Sequence, residues 1–377
     1  MSPSVPSITI LVPTFNRAKY LAECLDSLLA QTFPATQVIV VNDGSTDDTQ
    51  AVLAPYRGRI DYLETPQLGK PGSLNKAIER VRGEYLWIFD DDDVALPDAL
   101  ARLVEPLEAS REYDFSYSSY FFTPSAPNTN RIGTPAYEYT LPDVQTRGPL
   151  LPLLEANYLG GAALFARTSC YGVVGNFDAA LLRSQDYEMA FRFVKKFRGT
   201  AIRDATFHYR QHEDVRGNSR DRFDSKTKLV KWLEYDQKFF RKFYLEWPLE
   251  DYTPPGTAPD RVERLGLLQR FALMCNKLLT IEALRDLEAL AALDDSRPFT
   301  HPEKEVVRAL IKGSWYFRMM NVLEQPEILG ALREHAPKSR FIAALRAEIV
   351  GAVIVLNLRH PHPKRILNGL RCSGLYW

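Results

Sequence analysis

Along the first hundred residues, short β-rich apolar runs alternate with amphipathic stretches. Ile8 to Val12, Val38 to Val41, Ile60 to Leu63 and Tyr85 to Phe89 read as strands. Between the first two, Leu21, Cys24, Leu25, Leu28 and Leu29 recur at helical spacing, which predicts a crossover helix ending before Pro34. Asn42-Asp43-Gly44-Ser45 is turn chemistry leading into a helix that begins near Asp47 or Asp48, and Leu74 to Val81 is a further helix. Strands alternating with helices predict an α/β sheet with crossover connections, whose ligand crevice lies at the carboxyl ends of the strands. Asn16, Asp43 and the acidic run Asp90-Asp91-Asp92-Asp93 all fall at those ends.

From Thr123 to Gly148 the chain is rich in Pro, Asn, Thr and Gly with aromatic residues interspersed, and is read as a long excursion over the active-site side. A second α/β portion runs from Leu150 to about Arg220, Thr227 to Phe243 is helical, and Pro254-Pro255-Gly256 with Pro259 marks a linker. Beyond it Leu265, Leu268, Ala272, Cys275 and Leu279 form one apolar stripe, with further helices expected over Val306 to Leu323 and Phe341 to Leu358. The expected division is a domain over residues 1–222 and an all-helical module over residues 223–377, the latter serving acceptor or membrane contact. The last forty residues hold Lys338, Arg340, Arg346, Arg359, Lys364, Arg365 and Arg371 against Glu348 and end in Leu375-Tyr376-Trp377. A basic, aromatic tail of this kind suits an anionic membrane surface; a solvated helix face around an ordinary apolar core fits it equally.

Forty-seven basic and forty-seven acidic residues cancel over the 377 positions, so no global field recommends nucleic acid as a partner. Cys24, Cys170, Cys275 and Cys372 are far apart and show no paired ligand spacing, which argues against a zinc site or a disulfide framework and for a reducing cytosol. The opening residues lack the basic start and apolar core of a secretory signal, and the longest apolar run, Ile349 to Leu358, covers ten residues. The expected location is cytoplasmic, soluble or peripheral at the inner face of the cytoplasmic membrane.

The densest chemistry is the run of four carboxylates directly behind Tyr85-Leu86-Trp87-Ile88-Phe89. Packed like charges are tolerable mainly when solvated or offset by a cation, and a hard ion such as Mg²⁺ or Mn²⁺ takes oxygen ligands and shares them with substrate phosphates. An EF-hand is excluded because Ala95 and Ala101 occupy the positions that need Gly and a bidentate Glu. Asp93 and Asp98, taken singly, read as a surface turn or a helix N-terminal carboxylate. Phe207-His208-Tyr209-Arg210-Gln211-His212 alternates at strand period, which puts His208, Arg210 and His212 on one face.

Ile8-Thr9-Ile10-Leu11-Val12-Pro13-Thr14-Phe15-Asn16-Arg17, Val40-Val41-Asn42-Asp43-Gly44-Ser45-Thr46-Asp47 and the acidic run resemble the family 2 glycosyltransferases with the GT-A fold. Gly160-Gly161-Ala162-Ala163-Leu164-Phe165, Val174-Gly175-Asn176-Phe177-Asp178 and Gln185-Asp186-Tyr187-Glu188 continue the resemblance in order, over roughly residues 7–215. It implies a Rossmann-like domain that moves a sugar from a nucleotide diphosphate donor, UDP- or dTDP-linked, to an acceptor hydroxyl with inversion, aided by Mn²⁺ or Mg²⁺. The same resemblance points to assembly of a surface polysaccharide or glycolipid, with a saccharide or glycolipid as acceptor.

By that resemblance Asp186 is the base that takes the acceptor proton, with Glu188 as runner-up, and Gln185 stands where many relatives carry an acid. Asp92 is the metal ligand, Asp91 contacts the ribose and Asp90 completes the Asp-x-Asp pattern. Asp43 meets the donor base in a pocket walled by Pro13 and Phe15, beside Thr14 and Arg17. Lys70 and Arg210 face the diphosphate, while His212, or alternatively His208, completes the metal sphere. Val215 to Arg222 is expected to close over bound donor. Two rivals remain: a sugar-phosphate nucleotidyltransferase, which should carry a Gly-rich loop where this chain has Pro13-Thr14-Phe15-Asn16-Arg17, and a non-catalytic saccharide-binding scaffold of the same fold.

Overall fold

The computed structural model describes residues 5–215, 217, 221, 224, 226–293, 295–312 and 322–359. The chain divides into two compact units: residues 1–142 with 157–231, and residues 143–156 with 232–377.

The first unit is built on a mixed sheet. Its strands are β1 (Ile8–Thr14), β2 (Gln37–Asn42), β3 (Asp61–Glu64), β4 (Tyr85–Ile88), β5 (Val94–Ala95), β6 (Phe115–Pro124), β7 (Tyr137–Glu138), β8 (Leu164–Arg167) and β9 (Gly199–Gln211). They lie in the order β3-β2-β1-β4-β8-β6-β9-β5, with β7 paired to β6. β1 runs parallel to β2 and β4, and β2 parallel to β3, so these strands all end on one edge. β1 and β2 are buried at every position, as parallel strands covered on both faces require. Helices α1 (Ala18–Leu29), α2 (Thr49–Leu53), α3 (Lys70–Ile78) and α4 (Ala99–Ala109) follow as crossovers. The apolar stripe expected on α1 is buried at Leu21, Cys24, Leu25 and Leu28, packed in one core with Ile10, Val12, Trp87 and Phe89.

The excursion expected from Thr123 is more ordered than turn-rich composition indicated. β6 extends to Pro124, Ser125 bridges Ile132, and Tyr137–Glu138 returns as β7 against Phe121 and Phe122. The aromatic residues interspersed in the stretch supply the packing: Tyr137 stacks on Phe122, and Tyr139 on Tyr120.

The second unit is helical, with helices Pro259–Asn276, Thr280–Leu293, His301–Lys312, Pro326–His335 and Arg340–Arg359 beside the greater part of Lys228–Glu246. Pro259–Asn276 is the central helix: Leu265, Leu267, Leu268, Phe271, Met274 and Cys275 are buried around its circumference, so the expected one-sided stripe is in fact apolar on several sides. Pro254-Pro255-Gly256 lies inside this unit, ahead of that helix, and joins no two units. Charges inside it are paired: Lys277 with Asp236 at 2.7 Å, Arg270 with Asp286 at 2.7 Å and Arg264 with Glu303 at 2.7 Å. No helix among the described residues is long and apolar enough to cross a membrane. Most of the expected closing segment Val215 to Arg222, residues 313–321 of the expected helix Val306 to Leu323, and Lys364, Arg365, Arg371 and the terminal Leu375-Tyr376-Trp377 lie outside the described residues, while Val322 and Leu323 belong to a short 3-10 turn, Val322–Glu324. Cys24, Cys170 and Cys275 are buried free thiols.

Candidate active site

The four acids occupy a tight turn where β4 ends, closed by the amide of Asp93 donating to Asp90 O at 3.2 Å. Asp90 is half-buried; Asp91 and Asp92 are each 8% exposed, and Asp93 is fully buried. Asp93 is therefore no surface turn residue: its Oδ1 accepts the amide of Arg210 at 2.9 Å and ties the turn to β9. Asp98 does behave as the local reading expects, paired with Arg102 one turn along α4.

Arg210 departs from the expected role. Its guanidinium is buried under the acidic turn, where Nε donates to Asp92 O at 2.6 Å and the two terminal nitrogens donate to Asn130 O at 2.8 Å and Glu23 Oε2 at 2.6 Å. Glu23 also accepts the amide of Ile132 at 3.0 Å. Arg210 thus holds α1, the acidic turn and the excursion together, with only 1% of its surface exposed.

The two histidines separate. β9 ends at Gln211, and His212 just beyond it brings Nε2 to 2.9 Å from Asp92 Oδ2. His208 remains in the strand, its Nδ1 bonded to Thr123 Oγ1 at 3.0 Å. Burial and the nearby Arg210 charge hold its imidazole below the ordinary histidine range. Asp214 completes the surroundings of His212: Oδ2 accepts from Tyr20 Oη at 2.6 Å and pairs with Lys19 at 2.6 Å.

Pro13, Thr14, Phe15, Arg17, Asp43, Lys70, Asp90, Asp91 and Asp92 line one cavity of about 150 Å³. Arg17 approaches His212 Nε2 at 3.3 Å and Asp92 Oδ2 at 4.0 Å. Lys70, at the start of α3, forms an ion pair with Asp90. Burial alone would lower its pKa, but the carboxylates of Asp90 and Asp186 outweigh that and raise it. Asp43 is held by three donors: Thr65 Oγ1 at 2.7 Å and the Leu68 amide at 2.7 Å on Oδ1, and the Gly69 amide at 2.8 Å on Oδ2. A carboxylate offers about four acceptor positions, so one remains for a ligand N–H.

Asp186 sits in the first turn of the helix Gln185–Lys196 and lines an adjoining apolar hollow, which shares Lys70 with the larger cavity. Gly161 links the two. Its amide donates to Asp186 Oδ2 at 3.1 Å, and a Cβ at that position would stand 3.7 Å from Asp90 Oδ2. Trp87 Nε1 donates to Ala162 O at 2.8 Å, so β4 itself fixes the turn that separates its acids from Asp186.

The donor set fits a hard divalent cation. Asp90, Asp92 and Asp93 each offer a ligand atom within 4.8 Å of the others, compatible with oxygens about 3–4 Å apart around an octahedral ion. The 2.9 Å between His212 Nε2 and Asp92 Oδ2 suits two adjacent ligands. Asp91 Oδ2 is buried without a hydrogen-bond partner. Burial, then the charge of Asp92, pushes the Asp91 carboxyl up to about 7.

Arg183, paired with Asp221 at 2.9 Å, also lines the cavity that holds Asp43 and Asp92, and Asn157 bonds Asp186 Oδ2 at 3.1 Å. Neither stands out in the sequence, since an isolated Arg or Asn between structured segments carries no periodic or motif signal.

Residues 9–172 match the family described as Glycosyl transferase family 2. An uncharacterized glycosyltransferase of Rickettsia prowazekii is 29% identical over 191 residues, which is 50% of this chain and 59% of that protein. Hyaluronan synthase of Pasteurella multocida is 36% identical over 99 residues, 26% of this chain and 10% of that one. Among solved structures, S. aureus TarS 1–349 in complex with UDP-GlcNAc aligns with a TM-score of 0.48 at 18% identity, over 98% of this chain and 90% of that one. The chain spans about three-fifths of the length of the Rickettsia relative. The matched stretch, somewhat under half of the chain, takes in strands β2 to β8 and the acidic turn, and it is similar to glycosyltransferase family 2.

Proposed function

We propose that this chain transfers a glycosyl group from a nucleoside diphosphate donor to an acceptor hydroxyl with inversion, assisted by Mn²⁺ or Mg²⁺. The observation that carries the reading is the convergence at Gly161: one glycine separates a carboxylate of the acidic turn from the carboxylate at the start of the facing helix. Inversion needs a leaving-group site on one side of the anomeric carbon and a base on the other.

Asp92 and His212, with Asp90 beside them, are the groups that would hold the ion, which when bound supplies positive charge for the departing diphosphate. Arg17 and Lys70 add fixed positive charge on the same side. Lys70 also neutralises Asp90 before donor arrives, which limits the repulsion between the diphosphate and the acidic turn. Asp43 offers its remaining acceptor position to the base of a uridine or thymidine donor, beside Phe15 and Pro13. Asp186 accepts the acceptor hydroxyl's proton as the new glycosidic bond forms and the sugar–phosphate bond breaks. A saccharide or glycolipid acceptor of a surface polysaccharide pathway, reached at the cytoplasmic face of a membrane, belongs to the same proposal.

The experiment is incubation with a panel of UDP- and dTDP-sugars and Mn²⁺, following nucleoside diphosphate release. Metal-dependent release, abolished by EDTA, is expected. Release of pyrophosphate from a nucleoside triphosphate and a sugar phosphate would establish the nucleotidyltransferase reading instead. Absence of both turnover and metal-dependent nucleotide binding would leave the scaffold reading.

A further inference from the structure

The two oxygens of Asp186 are not equivalent. Oδ2 accepts the Nδ2–H of Asn157 at 3.1 Å and the amide of Gly161 at 3.1 Å, whereas Oδ1 accepts no hydrogen bond among the described residues. The carboxylate enters this clamp from a strained start: Ser184, two residues earlier, holds a left-handed φ of 56°.

Asn157 itself is bound one-sidedly. Its Oδ1 is buried and makes no hydrogen bond, while its Nδ2 is given to Asp186. Turning the amide over would set oxygen against carboxylate, so the orphaned oxygen is the consequence of supplying a donor there. Gly160 makes room for the arrangement. A Cβ at that position would come within 2.6 Å of Asn157 Nδ2 and 3.1 Å of Asp186 Oδ2. Its φ of −74° is open to any residue, so what requires the glycine is the space, not the backbone conformation.

We propose that Asn157 is a positioning residue for proton transfer: with the Gly161 amide it immobilises Oδ2 of Asp186 and thereby assigns Oδ1 as the oxygen that takes the acceptor's proton. The inference rests on the reading of Asp186 as the base. Rotation of an aspartate carboxylate about Cβ–Cγ is intrinsically broad and nearly two-fold, so an unclamped Asp186 would present either oxygen at varied angles. Two donors converging on one oxygen remove that freedom before the acceptor arrives. They also keep the occupied lone pairs on the side of the loop, away from the position where the hydroxyl must lie.

The test compares three variants of the full chain, assayed with a donor sugar the wild type turns over. Asn157→Ala should lower kcat about tenfold to a hundredfold, the loss expected when a reacting group is misplaced by about an ångström. The donor KM and the affinity for UDP with Mn²⁺ should stay within about twofold, because no donor contact is removed. The melting temperature should change little, since the substitution deletes one hydrogen bond to Asp186 together with a buried oxygen that has no partner, and the two losses oppose each other. Gly160→Ala should give the same kcat loss with Asn157 intact, its methyl displacing the amide from Oδ2, and it decides the matter if Asn157→Ala does not fold. Asp186→Asn is the reference. Wild-type turnover in Asp186→Asn would show that the base reading itself is wrong. An inactive Asp186→Asn beside a wild-type kcat in Asn157→Ala would overturn the clamp alone. A joint fall of kcat, donor affinity and melting temperature in Asn157→Ala would make Asn157 a packing residue and overturn it as well.

Discussion

Arg210→Met separates two roles for one side chain. If Arg210 met the diphosphate, its loss would weaken UDP binding and leave stability nearly unchanged. The structure gives the opposite expectation, because the guanidinium is 1% exposed and all three of its side-chain hydrogen bonds go to Asp92 O, Asn130 O and Glu23. Methionine keeps much of the volume but deletes the donors and leaves Glu23, whose side chain is 15% exposed, with the largely solvent-exposed Arg131 at 3.6 Å in place of its buried cation. Breaking a buried pair by removing one partner costs about 3–5 kcal/mol. In a unit of this size each kcal/mol lowers Tm by about 2–4 °C, so a fall on the order of 10 °C is expected by calorimetry or near-UV circular dichroism. Adding Glu23→Gln should recover roughly half of it, since the uncompensated charge is then gone while the Ile132 amide keeps an acceptor. Affinity for UDP alone, without metal, should change by less than about threefold, because no phosphate contact is lost. A wild-type Tm together with a tenfold loss of UDP affinity would refute the reasoning and restore Arg210 to the cleft.

Three further outcomes follow from the site. Asp92→Asn should weaken Mn²⁺ binding by calorimetry and lower turnover with it; unchanged Mn²⁺ affinity would move the ion elsewhere in the acidic turn. Asp186→Asn should reduce kcat by about 10²- to 10⁴-fold while UDP affinity in Mn²⁺ stays near wild type, and a large loss of UDP binding would mean that the base is misplaced. Asp91 links stability to pH: its carboxyl is raised to about 7, so the stability it contributes is complete below the ordinary carboxylate pKa and is lost as pH rises through 7. Mn²⁺ should therefore raise Tm more at about pH 8 than at about pH 5.5, and a shift independent of pH would exclude this linkage.

What the sequence makes legible is set by how local the cause is. β1, β2 and β4 are visible because their apolar runs lie within a single strand, and the acidic run marks the cleft because four adjacent carboxylates need a common explanation. The alternation from Phe207 to His212 predicts a shared face, but it cannot tell where the strand stops. Because β9 ends at Gln211, His212 reaches Asp92 while His208 stays beside Thr123. Arg210 is misread for a different reason: its carboxylate partner lies 187 residues away on α1, and no spacing rule connects them. Asn157 has no signature at all, since its role is defined by an aspartate 29 residues later.

The backbone adds an argument the side chains alone do not make. Among the described residues five non-glycine positions hold a left-handed φ, and three of them stand at joints of the cleft: Asn16 between Phe15 and Arg17, Gln67 just before Leu68 and Gly69, and Ser184 two residues before Asp186. Such conformations cost about 1–3 kcal/mol each and persist only where the surroundings over-determine them. Here the restraints are visible. Asn16 Oδ1 accepts the Thr46 amide at 2.7 Å while its own amide donates to Ser45, Gln67 Nε2 donates to Gly44 O, and the amides that follow Gln67 are the ones that grip Asp43. The strained positions therefore mark places where a loop must present a group to the cavity at a fixed angle. A chain selected for stability alone would relax them with glycine; that the strain gathers around Arg17, Asp43 and Asp186 argues that these three positions are held in a fixed geometry.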